Sequence, residues 1–258
     1  MGDLAGKRAL VTGGGRGIGR AVALDLARAG ASVAVASRTA AERDAVRAEI
    51  EALGAVAAAV PCDVSRVEDV REMFRLARAA LGGIDILVNG AGIAPSAPLV
   101  KTPDDMWHQA LETNLSGAFY ALREALPEMA QRGWGRAINV ASIAGKTGNP
   151  YIAAYSASKH GLLGLTKVAA LEMAEHGVTV NAVCPGYVDT PMTDAGIARM
   201  AEKTGRPAEE IRRRIEQMSP QKRMVTSEEV SALVLFLCSD AARGITGQAL
   251  SVDGGTLV

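Results

Sequence analysis

Residues 8–30 read RALVTGGGRGIGRAVALDLARAG, and the order of events in that stretch decides the fold. A short run with β-branched residues (8–12) meets a glycine-rich loop (12–19). A segment with helical patterning follows and runs to Gly30. Strand, tight loop and helix in that order make the first half of a strand–helix–strand unit.

The same alternation continues outward from it. ASVAVAS (31–37), GIDILVN (83–89), GRAINVAS (135–142), VTVNAVC (178–184) and QALSVDG (248–254) read as strands, with AVAAAV (55–60) a weaker, alanine-rich one. Segments 17–30, 40–53, 66–82, 104–131 and 153–176 are long enough for crossover helices. Parallel strands need such crossovers, so the pattern predicts an α/β fold with a parallel sheet covered on both faces. Gly30, Gly54, Gly82 and Gly177 fall just past expected helix ends, where a left-handed residue closes the last turn. No linker or composition shift divides the chain, so residues 1–258 are expected to form a single domain. The strand pattern pauses only at 187–220, which reads as one or two short helices. Leaving the carboxyl end of a strand, that insertion is placed to cover a ligand crevice.

Composition narrows the function classes. Hydrophobic residues are 48% and aromatics 3%, so a large core must be built from aliphatic side chains. Lys+Arg 28 balances Asp+Glu 28, which is not the basic field of a nucleic-acid binder. Cys62, Cys184 and Cys238 are far apart and form no CxxC, which fits buried thiols in a reducing compartment. Neither a signal peptide nor a membrane-spanning run is visible, and Gly6 stands where a myristoylation motif at Gly2 would want Ser or Thr. A soluble cytoplasmic protein is the expectation.

The loop lacks GxGxxG but contains Gly13-xxx-Gly17-x-Gly19. It meets the same needs: a tight turn, close backbone approach to a pyrophosphate, and free amides at a helix N-terminus. The second strand ends in Ser37 and Arg38, with no acid to hold ribose hydroxyls. Arg38, joined by Arg16, offers a donor fork that matches a 2′-phosphate. NADP(H) is therefore preferred, with NAD(H) a possible alternative.

Tyr155 and Lys159 stand four apart in YSASK, on one face of a helix. An ammonium there, aided by the positive nicotinamide of an oxidised cofactor, would favour phenolate and bring a tyrosine, normally near pKa ~10, toward operating pH.

With TGGGRGIG, CDV (62–64), NGAG (89–92), TNLSG (113–117), NVASIAG (139–145), YSASK, PGYVDTPM (185–192) and VDGG (252–255) in register, the sequence resembles the short-chain dehydrogenase/reductase family over nearly its whole length. The resemblance implies a doubly wound, seven-stranded Rossmann sheet in three α/β/α layers. It also implies an oxidoreductase in which Tyr155 is the proton donor, Ser142 orients the carbonyl, and Lys159 tunes Tyr155 and grips the nicotinamide ribose. Asn114 would position a water that resupplies protons through Lys159. Cofactor contacts are implied at Gly13, Gly15, Arg16, Gly17, Ile18, Gly19, Ser37, Arg38, Asp63, Val64, Asn89, Ala91, Gly92, Pro185, Gly186, Val188 and Thr190. Family members of this length commonly form homotetramers through helices that correspond here to 104–131 and 153–176. Gly90 departs from the family's second Asn and is expected to weaken one structural polar contact while leaving the chemistry intact.

Ile93, Ala94, Ile143, Ala144, Tyr151, Tyr187 and Met192 are expected to line the substrate crevice. Their mostly apolar character favours a hydrophobic ketone, such as a 3-oxoacyl thioester, over a small charged acid. An NAD-dependent secondary-alcohol or 3-hydroxybutyrate-type dehydrogenase is the alternative within the family, and a non-catalytic redox sensor the alternative outside it. An epimerase or dehydratase on nucleotide sugars would need a larger C-terminal domain.

His160 lies about 100° around the helix from Lys159 and is expected on the packing side. His108 and His176 have no metal-spaced partners, and no metal site is predicted. The IRRRIE run (211–216) could draw a phosphate of coenzyme A or an acyl-carrier arm, but its flanking glutamates mark a solvated helix face. Trp107 is expected to anchor its helix at the core or a subunit contact.

Overall fold

Alternate residues of each strand serve opposite cores, as a period of two demands. In β1 (Arg8–Thr12), Ala9 and Val11 face one layer of helices while Leu10 faces the other. β2 (Ser32–Ser37), β3 (Ala57–Pro61), β4 (Ile86–Asn89), β5 (Gly135–Val140), β6 (Val178–Pro185) and β7 (Ala249–Val252) complete a parallel sheet. Their order is β3-β2-β1-β4-β5-β6-β7, seven strands among the described residues. This is the doubly wound arrangement that the resemblance implies. The computed structural model describes residues 4–257, so Gly2 and the extreme ends of the expected 1–258 domain lie outside it.

One face is covered by α1 (Gly17–Arg28), α2 (Ala40–Ala52) and α9 (Ser227–Cys238), which supply Val22, Leu26, Val46, Ile50 and Val234 to a core with Val11, Val35 and Ile138. The other is covered by α3 (Val67–Leu81), α5 (Gly117–Arg132) and α6 (Ala153–Met173), with Phe74, Met73, Leu122 and Met129 beneath Leu10 and Leu87. The expected single helix over 104–131 is interrupted. α4 (Asp104–Leu111) passes into a π-helical turn over Glu112–Ser116 before α5 begins. Such turns insert one residue into a helix and often sit at functional positions. Here the turn carries Asn114.

The glycines expected beyond helix ends, Gly30, Gly54, Gly82 and Gly177, all take positive φ. All three cysteines are free and buried. One expectation is corrected. His160 is exposed, because Lys159 occupies the inward side of α6 and one step of the helix carries its neighbour outward. Of the two settings expected for Trp107, the core is excluded. It is 37% exposed and lines a surface groove with Leu99, Thr102 and Ala153.

The 187–220 segment forms two helices, α7 (Pro191–Thr204) and α8 (Ala208–Met218). They share a small separate core of Ile197, Ile211, Ile215 and Met224. Arg212 ties α8 to Asp189 at 3.0 Å and to Asp194 in the first turn of α7. Arg213 and Arg214 pair with Glu209 and Glu210 along the same helix, at 3.7 and 2.9 Å, which agrees with a solvated face.

α6 approaches β5 closely because Gly145 has no side chain. A Cβ there would meet the carbonyl oxygen of Lys159 at 2.8 Å and its carbon at 3.0 Å. Main chain cannot swing aside as a side chain can. Gly145→Ala should therefore cost about 1–3 kcal/mol of stability. Gly148→Ala, with nothing within 4 Å of the added atom, serves as the neutral control. Thermal denaturation of both variants checks this, and equal melting temperatures would contradict the packing argument.

Candidate active site

In a doubly wound sheet the ligand crevice opens where strand order reverses, outside the carboxyl ends of the strands. The reversal here lies between β1 and β4, which pair side by side with Thr12 opposite Asn89. The glycine loop leaves β1, and NGAG leaves β4, at that one edge.

Contacts around the loop explain its glycines. Gly13 has φ +67°, and a Cβ on it would lie 2.7 Å from the Ala91 amide nitrogen. Gly19 packs against the Gly13 carbonyl. Gly90 proves more constrained than a missing polar contact would suggest. A Cβ there would lie 2.8 Å from the Thr12 carbonyl oxygen, to which the Gly90 amide donates at 3.1 Å, so a larger residue does not fit this spacing. Arg16 is the N-cap of α1 and provides no side-chain cap, and no acid lies in the first turn. The amides at the start of α1 thus fit an anionic diphosphate. Ile18 packs against the core behind the loop, and Thr190 lies over Gly17.

Ser37 and Arg38 end β2 beside the loop. Arg38 approaches Asp63 at 3.9 Å, and Arg16 approaches Glu42 at 3.4 Å. Asp63 also accepts from the amide and hydroxyl of Ser65, and Val64 is buried against Gly117. Asn89 is buried at the end of β4. Its amide donates to Asn139, which donates to Thr166, whose hydroxyl donates to the Leu162 carbonyl, at 2.9, 2.9 and 2.7 Å. The sheet is thereby tied to α6 by a buried polar chain. Val188 is buried in the core, while the Gly186 amide donates to Val252.

At the same edge, Ser142, Tyr155 and Lys159 converge. Ser142 leaves β5 in extended conformation and caps the following 3₁₀ turn, accepting from the Ala144 amide at 3.1 Å. Its hydroxyl lies near enough to the phenol of Tyr155, in the first turn of α6, to favour the ionised form. Lys159 lies one turn on, its Nζ 5.8 Å from the Tyr155 ring centre. That ammonium is buried and donates to the Val140 carbonyl at 2.8 Å. Asn114 is engaged on both amide hydrogens, to Ile93 O at 2.9 Å and Ser158 Oγ at 3.0 Å, and its Oδ1 accepts from Ile93 N. Such a side chain fixes the NGAGI segment. A Cβ on Gly92 would fall 3.1 Å from Asn114 Oδ1 and 3.7 Å from Lys159 Nζ, so Gly92 leaves that corner open. Behind Asn114 a cavity of about 10 Å³, lined by Thr12, Asn89 and Thr113, has room for one water.

Burial pushes the Tyr155 phenol above its ordinary pKa, and the nearby Ser142 hydroxyl only partly opposes this. Lys159 is itself depressed by burial to about 8. A desolvated amine aimed at a backbone carbonyl does not offset the cost of a desolvated phenolate. Without cofactor the phenol therefore stays protonated, which suits a proton donor.

Of the expected substrate residues, Ile143 and Ala144 are buried in the 3₁₀ turn, and Ile93 and Ala94 follow NGAG with partial exposure. Tyr151, Tyr187 and Met192 are exposed, Tyr151 with a φ of +70°. Sequence reasoning missed Asn139, Ser158 and Thr166. A polar residue inside the apolar run of β5 was the available signal for Asn139. Among the described residues, no group of three His, Cys, Asp or Glu side chains could hold a metal.

Comparisons with known proteins place the chain among oxidoreductases of the same fold. A family model described as enoyl-(acyl carrier protein) reductase matches residues 13–256. A D-beta-hydroxybutyrate dehydrogenase of Cupriavidus necator is 42% identical over 98% of each chain. A 3-oxoacyl-[acyl-carrier-protein] reductase of Staphylococcus epidermidis is 38% identical over 96% of this chain and 98% of its own. Among solved structures, an actinorhodin polyketide ketoreductase with NADPH superposes with a TM-score of 0.93 at 37% identity, over 97% of each chain.

The Lys159 shift has a testable consequence. Its folded pKa of about 8 lies below the unfolded 10.5, so between those values the unfolded chain holds a proton that the folded chain lacks. Stability then rises with pH across that window, and the penalty is fully present below pH 8. Urea denaturation from pH 8 to 10.5 should show the wild type gaining up to about 3 kcal/mol relative to Lys159→Met. Parallel profiles would show that the amine is not desolvated.

Proposed function

Because this chain belongs to the short-chain dehydrogenase/reductase family and is an oxidoreductase acting on hydroxyl or carbonyl groups, we propose that it is an NADPH-dependent ketone reductase. The observation that carries this reading is the meeting of Ser142, Tyr155 and Lys159 at the sheet edge that also presents the glycine loop. A ketone with an apolar body, such as a 3-oxoacyl thioester, suits a mouth formed by Ile93, Ala94, Tyr187 and Met192. Lys159 is the one cation among the proposed catalytic and substrate residues, and it is already partnered. That disfavours 3-hydroxybutyrate, the acid for which the Cupriavidus relative is named.

The glycine loop, the first amides of α1, Arg16, Ser37 and Arg38 would hold the cofactor. When bound, it supplies the hydride. The chain supplies the rest. Tyr155 gives its hydroxyl proton to the carbonyl oxygen as the carbon is reduced, and Ser142 donates a hydrogen bond that holds this oxygen in place. Lys159 has two further N–H donors beyond the one spent on Val140, available to ribose hydroxyls. Asn114 is a positioning residue, fixing the Ile93 backbone and, through Ser158, the first turns of α6. Helices α7 and α8 would cover the crevice, with Arg212 closing their base. The exposed Phe119, Val168 and Leu171 on α5 and α6 suit burial in a homotetramer. Free thiols agree with a cytoplasmic setting. Among the described residues, no helix is long and apolar enough to cross a membrane.

The test is a panel of ketones and acyl thioesters, following NADPH consumption. Tyr155→Phe should lower kcat/KM at least about a hundredfold, and activity within tenfold of wild type would refute the assignment. NADPH should serve better than NADH, with Arg38→Ala narrowing the ratio about tenfold. A clear NADH preference would overturn the Arg38 argument, and a panel without turnover but with tight cofactor binding would favour the redox-sensor reading.

A further inference from the structure

The corner expected to receive the adenosine 2′-phosphate is not simply basic. Each of its two outward arginines is matched by a carboxylate: Arg16 by Glu42 at 3.4 Å, Arg38 by Asp63 at 3.9 Å. The arginine side chains are 60% and 64% exposed, whereas the carboxylates are 33% and 32% exposed and lie deeper. A third guanidinium, Arg43, turns one nitrogen to the main chain, donating from Nη1 to Ser37 O at 3.0 Å and Arg38 O at 3.4 Å. Glu42 stands under the glycine loop itself. A Cβ placed on Gly15 would touch Glu42 Cβ and Ser37 Oγ, each at 3.1 Å. Asp63 is built into the turn after β3 through Ser65, but the Glu42 carboxylate engages Arg16 alone among the described residues.

We propose that Glu42 is a specificity-determining residue that holds down the preference for NADP over NAD. Its negative charge occupies the cation nearest the loop and repels a dianionic 2′-phosphate, while leaving the diphosphate amides of α1 untouched. A site with two free arginines would strongly favour the phosphorylated cofactor, whereas this paired corner tolerates both. The inference rests on the reading of Arg16 and Arg38 as the 2′-phosphate ligands and adds the residue that sets the size of their effect.

Isothermal titration of the whole protein with 2′,5′-ADP and with 5′-AMP separates the two claims. The wild-type ratio of the two affinities tests the NADP reading on its own. Glu42→Gln should tighten 2′,5′-ADP about fivefold and steepen its salt dependence, while 5′-AMP stays within twofold. The gain should vanish in the Glu42→Gln, Arg16→Gln double variant. Melting temperatures confirm that both variants are folded. Unchanged or weaker 2′,5′-ADP binding by Glu42→Gln would overturn the proposal whatever the wild-type ratio, because it would make Glu42 a support for Arg16 and not its competitor.

Discussion

A single buried ammonium organises the edge at which Ser142, Tyr155 and Lys159 converge. Lys159 reaches the carbonyl of Val140, the last residue of β5, and so bolts the start of α6 to the end of a central strand. An amine withdrawn from water needs a partner, and the carbonyl provides one. Two other contacts act along the same seam. Gly145 lets backbone meet backbone, and the chain Asn89–Asn139–Thr166–Leu162 runs from the sheet into the helix. Buried polar networks of this kind rigidify what they join. Tyr155 and Ser142 meet because the elements bearing them cannot slide.

Topology supplies the other half of the site. With β4 beside β1, two loops separated by some seventy residues of chain emerge at one edge, and both are stripped of side chains where they cross. The Thr12 carbonyl and hydroxyl, at the root of the first loop, hold the second, accepting from the Gly90 and Ala91 amides. A residue at the end of β1 thus sets the spacing of the crevice.

Much of this was legible from residue order. Strand–loop–helix alternation, terminal glycines and the Tyr-xxx-Lys pair are local patterns, and local patterns survive without coordinates. What was not legible depends on neighbours distant in sequence. The break at Glu112–Ser116 has no Pro or Gly to announce it, because it serves the fit of Asn114 to Ile93. The direction of the Tyr155 shift depends on how deeply the phenol is desolvated, which spacing along a helix does not reveal. His160 turned outward because the inward side of α6 was already taken by Lys159, and the carboxylates beside Arg16 and Arg38 come from other elements.

The helical pair α7–α8 has a different status from the rest. Its four-residue apolar cluster is detached from the two layers that sandwich the sheet. Residues there answer mainly to one another, so a substitution in this cassette is felt chiefly inside it. About thirty positions can thus drift without renegotiating the packing of the other two hundred and more.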